Sequence, residues 1–256
     1  MQLITLTTDF GARDFYAGAL KGALIKRHRA LQLVDISHEI KPFDIVQGAF
    51  VLQNTWPEFP EGTIHLVGVH CVYGPEARFI AARYAGHYFL APDNGLLSLL
   101  FEHLPENDLR SLGRGAAGHF PVKDVFADAA THLAQGHSFE TLGTPAGQIL
   151  HRISIQPVIT KSRIRGTVVH LDNFDNVVVN ISRALFEKTQ NGRNFSLFFK
   201  RNDPISNLSQ NYADVPVGEP LCLFNSAGYL EIAINMGRAA SLLGLKVEDI
   251  VELVFE

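Results

Sequence analysis

The sequence predicts an α/β fold: an N-terminal, mostly parallel sheet flanked by helices, followed by a smaller β-rich C-terminal domain. Up to about residue 150, strand-like and helix-like segments alternate, which is typical of parallel sheets with helices on their faces. Beyond that point the apolar segments are short and separated by turn clusters, which indicates a sandwich or barrel. The 256 residues are 46% hydrophobic and 19% charged, enough to bury the core of one large domain or two modest ones.

The N-terminal elements follow one another in regular order. Residues 3–7 form a short apolar run typical of a strand, and residues 16–24 carry apolar side chains at helical spacing. Asp14 lies just ahead of this helix and is predicted to be its N-cap, and Asp44 opens a second helix with capping-box spacing. Further strands are predicted at 31–36, 63–69 and 88–91, and further helices at 96–101 and 125–133.

The C-terminal elements are mainly strands. They are predicted at 167–171, 177–181, 195–199, 221–224 and 229–234, with brief helical stretches near Ala184 and Ala239. We therefore place an N-terminal α/β domain at 1–152, a linker at 153–164 and a C-terminal β-rich domain at 165–256.

Composition excludes several classes of protein. The 22 lysines and arginines against 26 acids give a formal net charge of −4, without the basic excess of a general nucleic-acid binder. Two cysteines, Cys71 and Cys222, are too few for a disulfide framework or a structural zinc site, and they favour a reducing compartment. No apolar run reaches the length of a membrane span, and the first residues are not basic, so we expect a cytoplasmic protein without nucleic-acid or membrane partners.

Spacing alone singles out a few polar residues without defining a reaction. Asp9 follows the first predicted strand, at the end where open α/β sheets bind ligands, although a turn residue that bonds its own backbone fits equally well. Asp14 is explained fully by N-capping. His38 is either a ligand or base, or a loop histidine with satisfied hydrogen bonds. No two histidines stand at metal-binding spacing with a carboxylate, so no metal is expected, and no P-loop or Gly-x-Ser-x-Gly elbow is present.

Motifs in matching order along nearly the whole chain carry a family resemblance. The run Thr-Leu-Thr-Thr-Asp-Phe-Gly at 5–11, followed by Asp14, resembles the opening of the S-adenosylmethionine hydroxide adenosyltransferase family, relatives of the fluorinase and chlorinase enzymes. The segments that resemble its other motifs are 35–44, 91–97, 172–181 and 225–233. The resemblance implies the same two-domain architecture, with S-adenosylmethionine or adenosine as substrate or ligand and no cofactor.

The resemblance also implies roles for residues at matched positions. Asp9 would accept hydrogen bonds from both ribose hydroxyls, Asp14 would lie near the methionyl ammonium, and Phe43 would pack beside the ligand. The matched ligand-binding residues of the C-terminal half are Phe174 and Asn176 for adenosine, Tyr212 for stacking on adenine, and Ser226 for the methionyl carboxylate. A homotrimer is implied as well, with each ligand between the N-terminal domain of one subunit and the C-terminal domain of its neighbour.

The sequence departs from the family at several positions. Asp175 stands where the family has glycine, and Ala227 where the halogenating relatives have arginine. Hydrolase members carry an Asp-Pro-Gly-Val-Gly-x-Glu-Arg loop and a His-Gly-Arg-Asp motif, whose Asp, Arg and His form the triad proposed to hold and activate water. Aligned without gaps, these three positions become His70, Ala77 and Pro121.

Three hypotheses about activity follow from these departures. The first is an S-adenosylmethionine hydrolase with a rearranged site, in which His70 is the base and Lys123 or Arg78 the cationic partner; Arg78 and His119 together would make a shifted triad. The second is an adenosyl transferase with another nucleophile, although Val122, where the halogenases use serine, argues against halogenation. The third is a catalytically inactive binder of S-adenosylmethionine or adenosine.

Overall fold

The computed structural model describes residues 2–114, 119–200 and 203–256, and the chain divides into two compact units between Ile153 and Ser154. In the first unit, strands and helices alternate along most of the chain, and a π-helical turn at Val122–Phe126 leads into the last helix. The elements of this unit are β1 (Gln2–Thr8), α1 (Tyr16–Arg27), β2 (Leu31–Ser37), α2 (Ile45–Gln53), β3 (Ile64–Gly68), β4 (Arg78–Tyr84), β5 (His87–Pro92), α3 (Leu96–Leu100), β6 (Leu109–Arg114), α4 (Ala127–Ala134) and β7 (Thr144–Pro145).

The first sheet has seven strands in the order β2-β1-β3-β5-β4-β6-β7. The first four strands in this order, β2, β1, β3 and β5, pair in parallel. The β4–β5, β4–β6 and β6–β7 pairs are antiparallel. Every strand except β4 and β7 therefore points the same way, and the mostly parallel sheet expected from the sequence is confirmed. The carboxyl ends of β1 and β3 lie side by side, since Thr8 pairs with Gly68.

Three strands of this sheet, β4, β6 and β7, are not predicted by the sequence patterns. β4 and β5 form a hairpin through Ala85 and Gly86, which both have positive φ (46° and 78°). Such two-residue hairpins are usually signalled by Asn-Gly or Asp-Gly, and alanine at the first position hides the signal. Four consecutive residues of β4 are buried, so its sequence also lacks the alternation that marks a half-exposed strand.

The two predicted N-caps have different outcomes. Asp44 is the N-cap of α2, where its carboxylate accepts a hydrogen bond from the Gln47 amide at 2.9 Å, as predicted. Asp14 is not the N-cap of α1, so that prediction is wrong. The cap is Phe15, whose backbone is already helical and which makes no side-chain capping bond; Asp14 accepts from the Phe15 amide alone.

Apolar side chains cover both faces of the first sheet. One cluster packs α1 and α4 against it, with Leu20 and Phe126 among its buried members. The other packs α2 and α3 against the opposite face, with Leu52 and Leu96 buried. All five residues of β3 are buried, as expected for a strand covered on both sides. The sheet is therefore a rigid base for the loops at its carboxyl edge.

Most of the regular secondary structure in the second unit is strand. Its elements are β8 (Val158–Ile159), β9 (Arg163–Leu171), β10 (Val177–Ser182), α5 (Arg183–Gln190), β11 (Phe195–Phe199), β12 (Pro220–Phe224), β13 (Tyr229–Ile234), α6 (Ala239–Leu243) and β14 (Ile250–Phe255). The segment 153–164, predicted as a linker, contains β8 and the start of β9.

The second sheet is antiparallel and curled, with strand order β11-β14-β9-β10-β13-β12 and β8 paired to β9. Its apolar side chains form one core that includes Val179, Phe186, Ile232 and Leu253. The β-rich C-terminal architecture predicted from the sequence is therefore confirmed. Among the residues described, no helix combines the length and the apolar character needed to cross a membrane.

Candidate functional site

Asp9 lies directly after β1, at the carboxyl edge of the first sheet. Its Oδ2 atom accepts hydrogen bonds from two backbone amides, Phe43 N at 3.0 Å and His70 N at 2.9 Å. Its Oδ1 atom accepts none from the part of the chain that the structure describes. Charged acceptors make the stronger kind of hydrogen bond, so the two bonds to Oδ2 fix the position of the carboxylate.

The two amide donors belong to residues in left-handed backbone conformations. Phe43 has φ +70° and His70 has φ +47°, which is uncommon for residues other than glycine and costs about 1–3 kcal/mol. Their rings contact each other edge to face with centroids 5.4 Å apart, and the Phe43 ring is 69% exposed. Asp9 thus holds two strained loop residues together and presents both rings at the sheet edge.

Asn94 secures the His70 loop from the other side. Its Nδ2 atom donates to the Val69 and His70 carbonyls at 3.0 and 3.2 Å, and its Oδ1 accepts from the Leu96 amide at 3.1 Å. His70 is therefore held at its amide by Asp9 and at its carbonyl by Asn94. Sequence reasoning placed Asn94 in a matching motif but gave it no role.

A row of polar side chains supports the loop that carries Asp9. Thr8 Oγ1 lies 2.7 Å from His38 Nδ1, and His38 Nε2 lies 3.1 Å from Asp35, which Lys21 contacts on its other oxygen. Although burial raises the pKa of Asp35, the hydrogen bond from Lys21 and the charge of His38 hold that pKa below its usual range. His38 is thus a buried histidine engaged by Thr8 and Asp35, and the structure gives it no exposed ligating position.

In the second unit, Asp172 shapes the loop between β9 and β10. Its Oδ1 accepts from the Phe174 and Asn176 amides at 2.9 and 2.8 Å, and its Oδ2 accepts from Asn176 Nδ2 at 3.0 Å. These bonds bury Asn176 and leave Phe174 projecting, with 74% of the residue exposed. The exposed aromatic ring and the fixed amide lie on one compact loop.

Tyr212 and Ser226 lie in two other loops of this unit. The Tyr212 hydroxyl donates to Glu231 Oε1 at 2.8 Å, and Asn225 Nδ2 donates to Glu231 Oε2 at 3.1 Å. Ser226 is exposed in the turn that follows Asn225. Glu231 is buried on β13, and burial raises its pKa. Sequence reasoning missed Glu231, although an acid in the apolar strand of 229–234 is a signal of a buried partner.

Within each unit, then, the sequence-predicted residues form small groups. Asp9, Phe43 and His70 are in direct contact, whereas Asp14 is exposed on the same loop without a contact to them. Phe174 and Asn176 share Asp172, and Tyr212 is joined through Glu231 to the turn of Ser226; these four residues form the group of the second unit. In the described part of the chain, no group of three or more metal-ligating side chains is gathered.

Comparison with known families accounts for both units. Residues 4–143 match the model of the SAM hydroxide adenosyltransferase N-terminal domain, and residues 166–252 match that of its C-terminal domain. The chain belongs to the SAM hydroxide adenosyltransferase family. These matches agree with the resemblance seen in the sequence motifs.

Individual relatives of this SAM hydroxide adenosyltransferase family member match it over nearly their full length. An (R)-S-adenosyl-L-methionine hydrolase from Methanocaldococcus jannaschii is 28% identical, over 100% of this chain and 97% of the relative. One from Thermus thermophilus is 31% identical, over 96% and 97%. A crystal structure of an uncharacterized conserved protein from Thermotoga maritima superimposes with a TM-score of 0.88 at 28% identity, covering 99% of this chain and 100% of that one.

The positions aligned with the family triad carry little catalytic chemistry here. Ala77 packs against the core beneath the first sheet. Pro121 is buried and begins the π-helical turn, in which Val122 is also buried. Among described residues the His70 imidazole makes no hydrogen bond, and its ring contact is with Phe43. Of the three positions, His70 alone presents a side chain with a proton-accepting atom.

The side chains that a rearranged triad would need are engaged elsewhere or separate. Arg78 pairs with Asp93 at 2.9 Å and also donates to two backbone carbonyls, and Lys123 pairs with Asp124 at 2.6 Å. His119 is exposed, with its ring 5.4 Å from that of Tyr73. None of these three side chains hydrogen-bonds to His70 in the part of the chain described.

The structure explains how Asp175 can stand at a position where the family has glycine. Its φ is +70°, the conformation that glycine adopts easily and that aspartate tolerates better than most residues. Its carboxylate accepts from the Ser241 amide at 2.9 Å and from the Ser241 hydroxyl, both in α6, which lowers the pKa of Asp175. The loop that presents Phe174 therefore keeps a left-handed residue at this point without glycine.

Proposed function

We propose that this protein binds S-adenosylmethionine and hydrolyses it to adenosine and methionine. The observation that carries the proposal is the carboxylate of Asp9. Two backbone amides fix Oδ2, while Oδ1 accepts nothing from the described residues. A carboxylate held in this way is suited to the hydroxyl donors of a ribose. The full-length similarity to (R)-S-adenosyl-L-methionine hydrolases supports the same ligand.

The remaining ligand contacts are proposed from the matched positions. Phe43 packs beside the ligand and Asp14 attracts the methionyl ammonium. In the second unit, Phe174 and Asn176 contact adenosine. Tyr212 stacks on adenine and Ser226 binds the methionyl carboxylate. The exposure of the Phe43 and Phe174 rings supports this assignment, because large apolar side chains on a surface commonly mark binding sites.

The proposed reaction is an in-line displacement at the ribose C5′. A water oxygen forms a bond to C5′ as the C5′–S bond breaks, and the bonding electron pair goes to sulfur, which leaves as the neutral thioether of methionine. His70 accepts the proton of the attacking water. As His70 takes the proton, the attacking oxygen gains anionic character, and this charge and that of the sulfonium offset each other towards the transition state, so exclusion of bulk water from around the reacting atoms favours attack. The positive charge that leaves sulfur ends on the imidazolium of His70. The reaction requires no metal and no cofactor.

We expect slow turnover, because Ala77 and Pro121 supply neither a base nor a donor. Loss of a positioned base typically costs about 10²–10⁴ in rate. The ion pair of Arg78 with Asp93 makes it a poor replacement for the missing cation. Without a hydrogen bond to its imidazole from the described residues, His70 also lacks the third group that orients the base in a catalytic triad.

The same observations favour a second candidate function, ligand binding without turnover. If His70 only fills the space beside Phe43, the protein retains a site for S-adenosylmethionine or adenosine but no activated water. The two candidate functions share the ligand and differ in product release alone.

A combined binding and turnover experiment tests the proposal. We expect calorimetry to detect S-adenosylmethionine binding to the wild type, and Asp9→Ala to weaken it about 10- to 150-fold, since a hydrogen bond to a charged group contributes about 1.5–3 kcal/mol. Chromatography of released adenosine then separates hydrolase from binder. Asp128→Ala, which removes an exposed acid on α4, is the matched control and should leave affinity unchanged. Equal affinity of wild type and Asp9→Ala would remove Asp9 from the site.

We also propose that the protein is a cytoplasmic homotrimer. The resemblance implies the trimer, and exposed aromatic rings in both units support burial by neighbouring copies. Both cysteines are free thiols, which supports a reducing compartment.

A further inference from the structure

Glu231 is a buried acid at the middle of β13. It pairs with Val178 on β10 and Leu223 on β12, and 3% of the residue is exposed. Alternate residues of β13 point into the main core, whereas Glu231 shares the opposite face with Ala233 and a small apolar cluster that includes Val215. A carboxylate is costly in such surroundings unless it is hydrogen-bonded. Packing alone does not explain an acid at this position.

The two oxygens of Glu231 receive donors from two separate loops. Oε1 accepts from the Tyr212 hydroxyl at 2.8 Å, and Tyr212 belongs to the 3₁₀ turn Tyr212–Asp214. Oε2 accepts from Asn225 Nδ2 at 3.1 Å, and Asn225 begins the hairpin turn between β12 and β13. One carboxylate therefore joins the two loops.

The Tyr212 ring is held at both ends. The backbone of its turn is fixed by Asp214, whose Oδ2 accepts from the Gln210 and Asn211 amides at 2.7 and 3.0 Å. At the far end, the hydroxyl is fixed by Glu231. The orientation of the half-exposed ring face thus depends directly on the position of the Glu231 carboxylate.

The turn that carries Ser226 depends on the same carboxylate through Asn225. Asn225 Oδ1 accepts from the Ala227 and Tyr229 amides, both at 3.1 Å, and the Gly228 amide donates to the Asn225 carbonyl at 2.9 Å. Rotation of the Asn225 side chain away from Glu231 would break the bonds that shape the turn.

The electrostatics make the two contacts depend on each other. Burial raises the pKa of Glu231, and the nearby charge of Asp172 raises it further. Burial and the bond to Glu231 raise the pKa of the Tyr212 phenol, so that the proton stays on the tyrosine. A buried carboxylate needs its donors, so displacement of either loop weakens the hold on the other.

We propose that Glu231 is a positioning residue that couples the adenine-stacking Tyr212 to the turn of Ser226, so that the adenosyl and methionyl parts of the ligand bind cooperatively. This inference rests on the proposed function, which gives Tyr212 and Ser226 their ligand contacts. Adenosine that settles on Tyr212 fixes Glu231, and Glu231 fixes the methionyl-binding turn through Asn225. Coupling of this kind is reciprocal.

The test measures binding of adenosine and L-methionine to the full-length protein, separately and together, by calorimetry. For the wild type we expect saturating adenosine to strengthen methionine binding about fivefold or more. Glu231→Gln should abolish this enhancement and weaken each ligand alone by about tenfold. Tyr212→Phe keeps the ring and the buried acid but removes the hydroxyl that links them, so it should abolish the enhancement.

Matched controls keep the outcomes distinct. Glu252→Gln alters a strand acid on β14 paired with surface arginines, and Tyr84→Phe alters a tyrosine of the first unit; both should retain the enhancement. Retained enhancement in Glu231→Gln or Tyr212→Phe would overturn the coupling, as would independent binding of the two ligands to the wild type. A wild type that binds neither adenosine nor S-adenosylmethionine would overturn the proposed function itself. If Glu231→Gln does not fold, Tyr212→Phe decides alone.

Discussion

At the scale of single residues, His70 contributes to the candidate site through its backbone amide. The sequence directs attention to its imidazole as a base, because the family has an acid there. In the structure, the His70 amide holds Asp9 and the residue has φ +47°. Aspartate and histidine are both enriched among residues with positive φ. Histidine therefore suits this loop conformation but supplies no carboxylate.

Replacement of His70 separates its backbone role from its side-chain role. His70→Gly keeps the amide donor and adopts positive φ without strain, so S-adenosylmethionine affinity should stay within about threefold of wild type. His70→Ala has the same donor but, like histidine, pays about 1–2 kcal/mol in that conformation, so its free energy of unfolding should lie below that of His70→Gly. Both variants should lose any hydrolysis. Calorimetry, denaturation and adenosine release measure the three effects.

Two other results for His70→Gly would contradict these expectations. Adenosine release from His70→Gly at the wild-type rate would exclude the imidazole as the base. A large loss of affinity in His70→Gly would mean that the ring itself contacts the ligand. Asn94→Ala is the companion variant: it frees the carbonyl side of the same residue and should weaken binding without changing the imidazole.

At the scale of elements, the sequence predicts what depends on local patterns and misses what depends on distant partners. The capped helix α2 and the largely apolar strand β3 are recognisable from residues within one element. The hairpin of β4 is not, because its turn carries Ala85 in place of the usual Asn or Asp. The role of Glu231 cannot be recognised from its own strand, since its hydrogen-bond donors lie 19 and 6 residues away in other loops.

Three neighbouring strands of the first sheet share a buried polar row. Thr5 on β1 lies 2.7 Å from His65 Nδ1 on β3, and His65 Nε2 lies 3.1 Å from His87 Nδ1 on β5. Burial lowers the pKa of His65 to about 3, and the adjacent His87 adds to this effect. Burial also lowers the pKa of His87. His65 is therefore neutral in the folded sheet well below pH 6, and His87 stays neutral to a lower pH than an ordinary histidine.

This row predicts that the protein loses stability in mild acid. Between the ordinary histidine pKa of about 6.5 and a folded pKa of about 3, the unfolded chain binds a proton that folded His65 does not. The free energy of unfolding should therefore fall as pH drops below about 6.5, by up to about 1.4 kcal/mol per pH unit from this group. Urea denaturation at pH 7.5, 6.0 and 5.0 measures the slope.

His65→Asn should be less stable than wild type at pH 7.5 but show a shallower dependence on pH. His151→Asn, which alters an exposed histidine, is the control and should follow the wild-type slope. Identical slopes for wild type and His65→Asn would rule out His65 as the source of acid sensitivity.

At the scale of the whole molecule, the fold class was accessible from the sequence because each unit has its own pattern. Alternation of strands and helices marks the first, and short strands with turns mark the second. The candidate site was accessible through motif resemblance for Asp9, Tyr212 and their neighbours. The contacts of Arg78 could not be predicted from the sequence, because Asp93 and the carbonyl groups that accept from Arg78 come from segments apart in the sequence.

Assembly is the prediction that belongs to this scale. Light scattering at micromolar concentration should give three times the chain mass of 28.3 kDa. Phe174→Ser, which removes a 74% exposed ring, should shift the distribution towards smaller species if that ring is buried between copies. Phe198→Ser, at another exposed ring on β11, is a matched comparison. A monomeric mass for the wild type would contradict the trimer.

The unequal hydrogen bonding of the two Asp9 carboxylate oxygens has a consequence for selectivity among nucleosides. With Oδ2 occupied by backbone amides, we expect discrimination at this point to depend on Oδ1, which accepts no hydrogen bond from the described residues. A nucleoside without ribose hydroxyls would exclude water from that anionic oxygen without donating a hydrogen bond to it. Rejection of deoxy analogues would then arise from an isolated charge inside the complex more than from attraction to the correct sugar, and such rejection is typically steep.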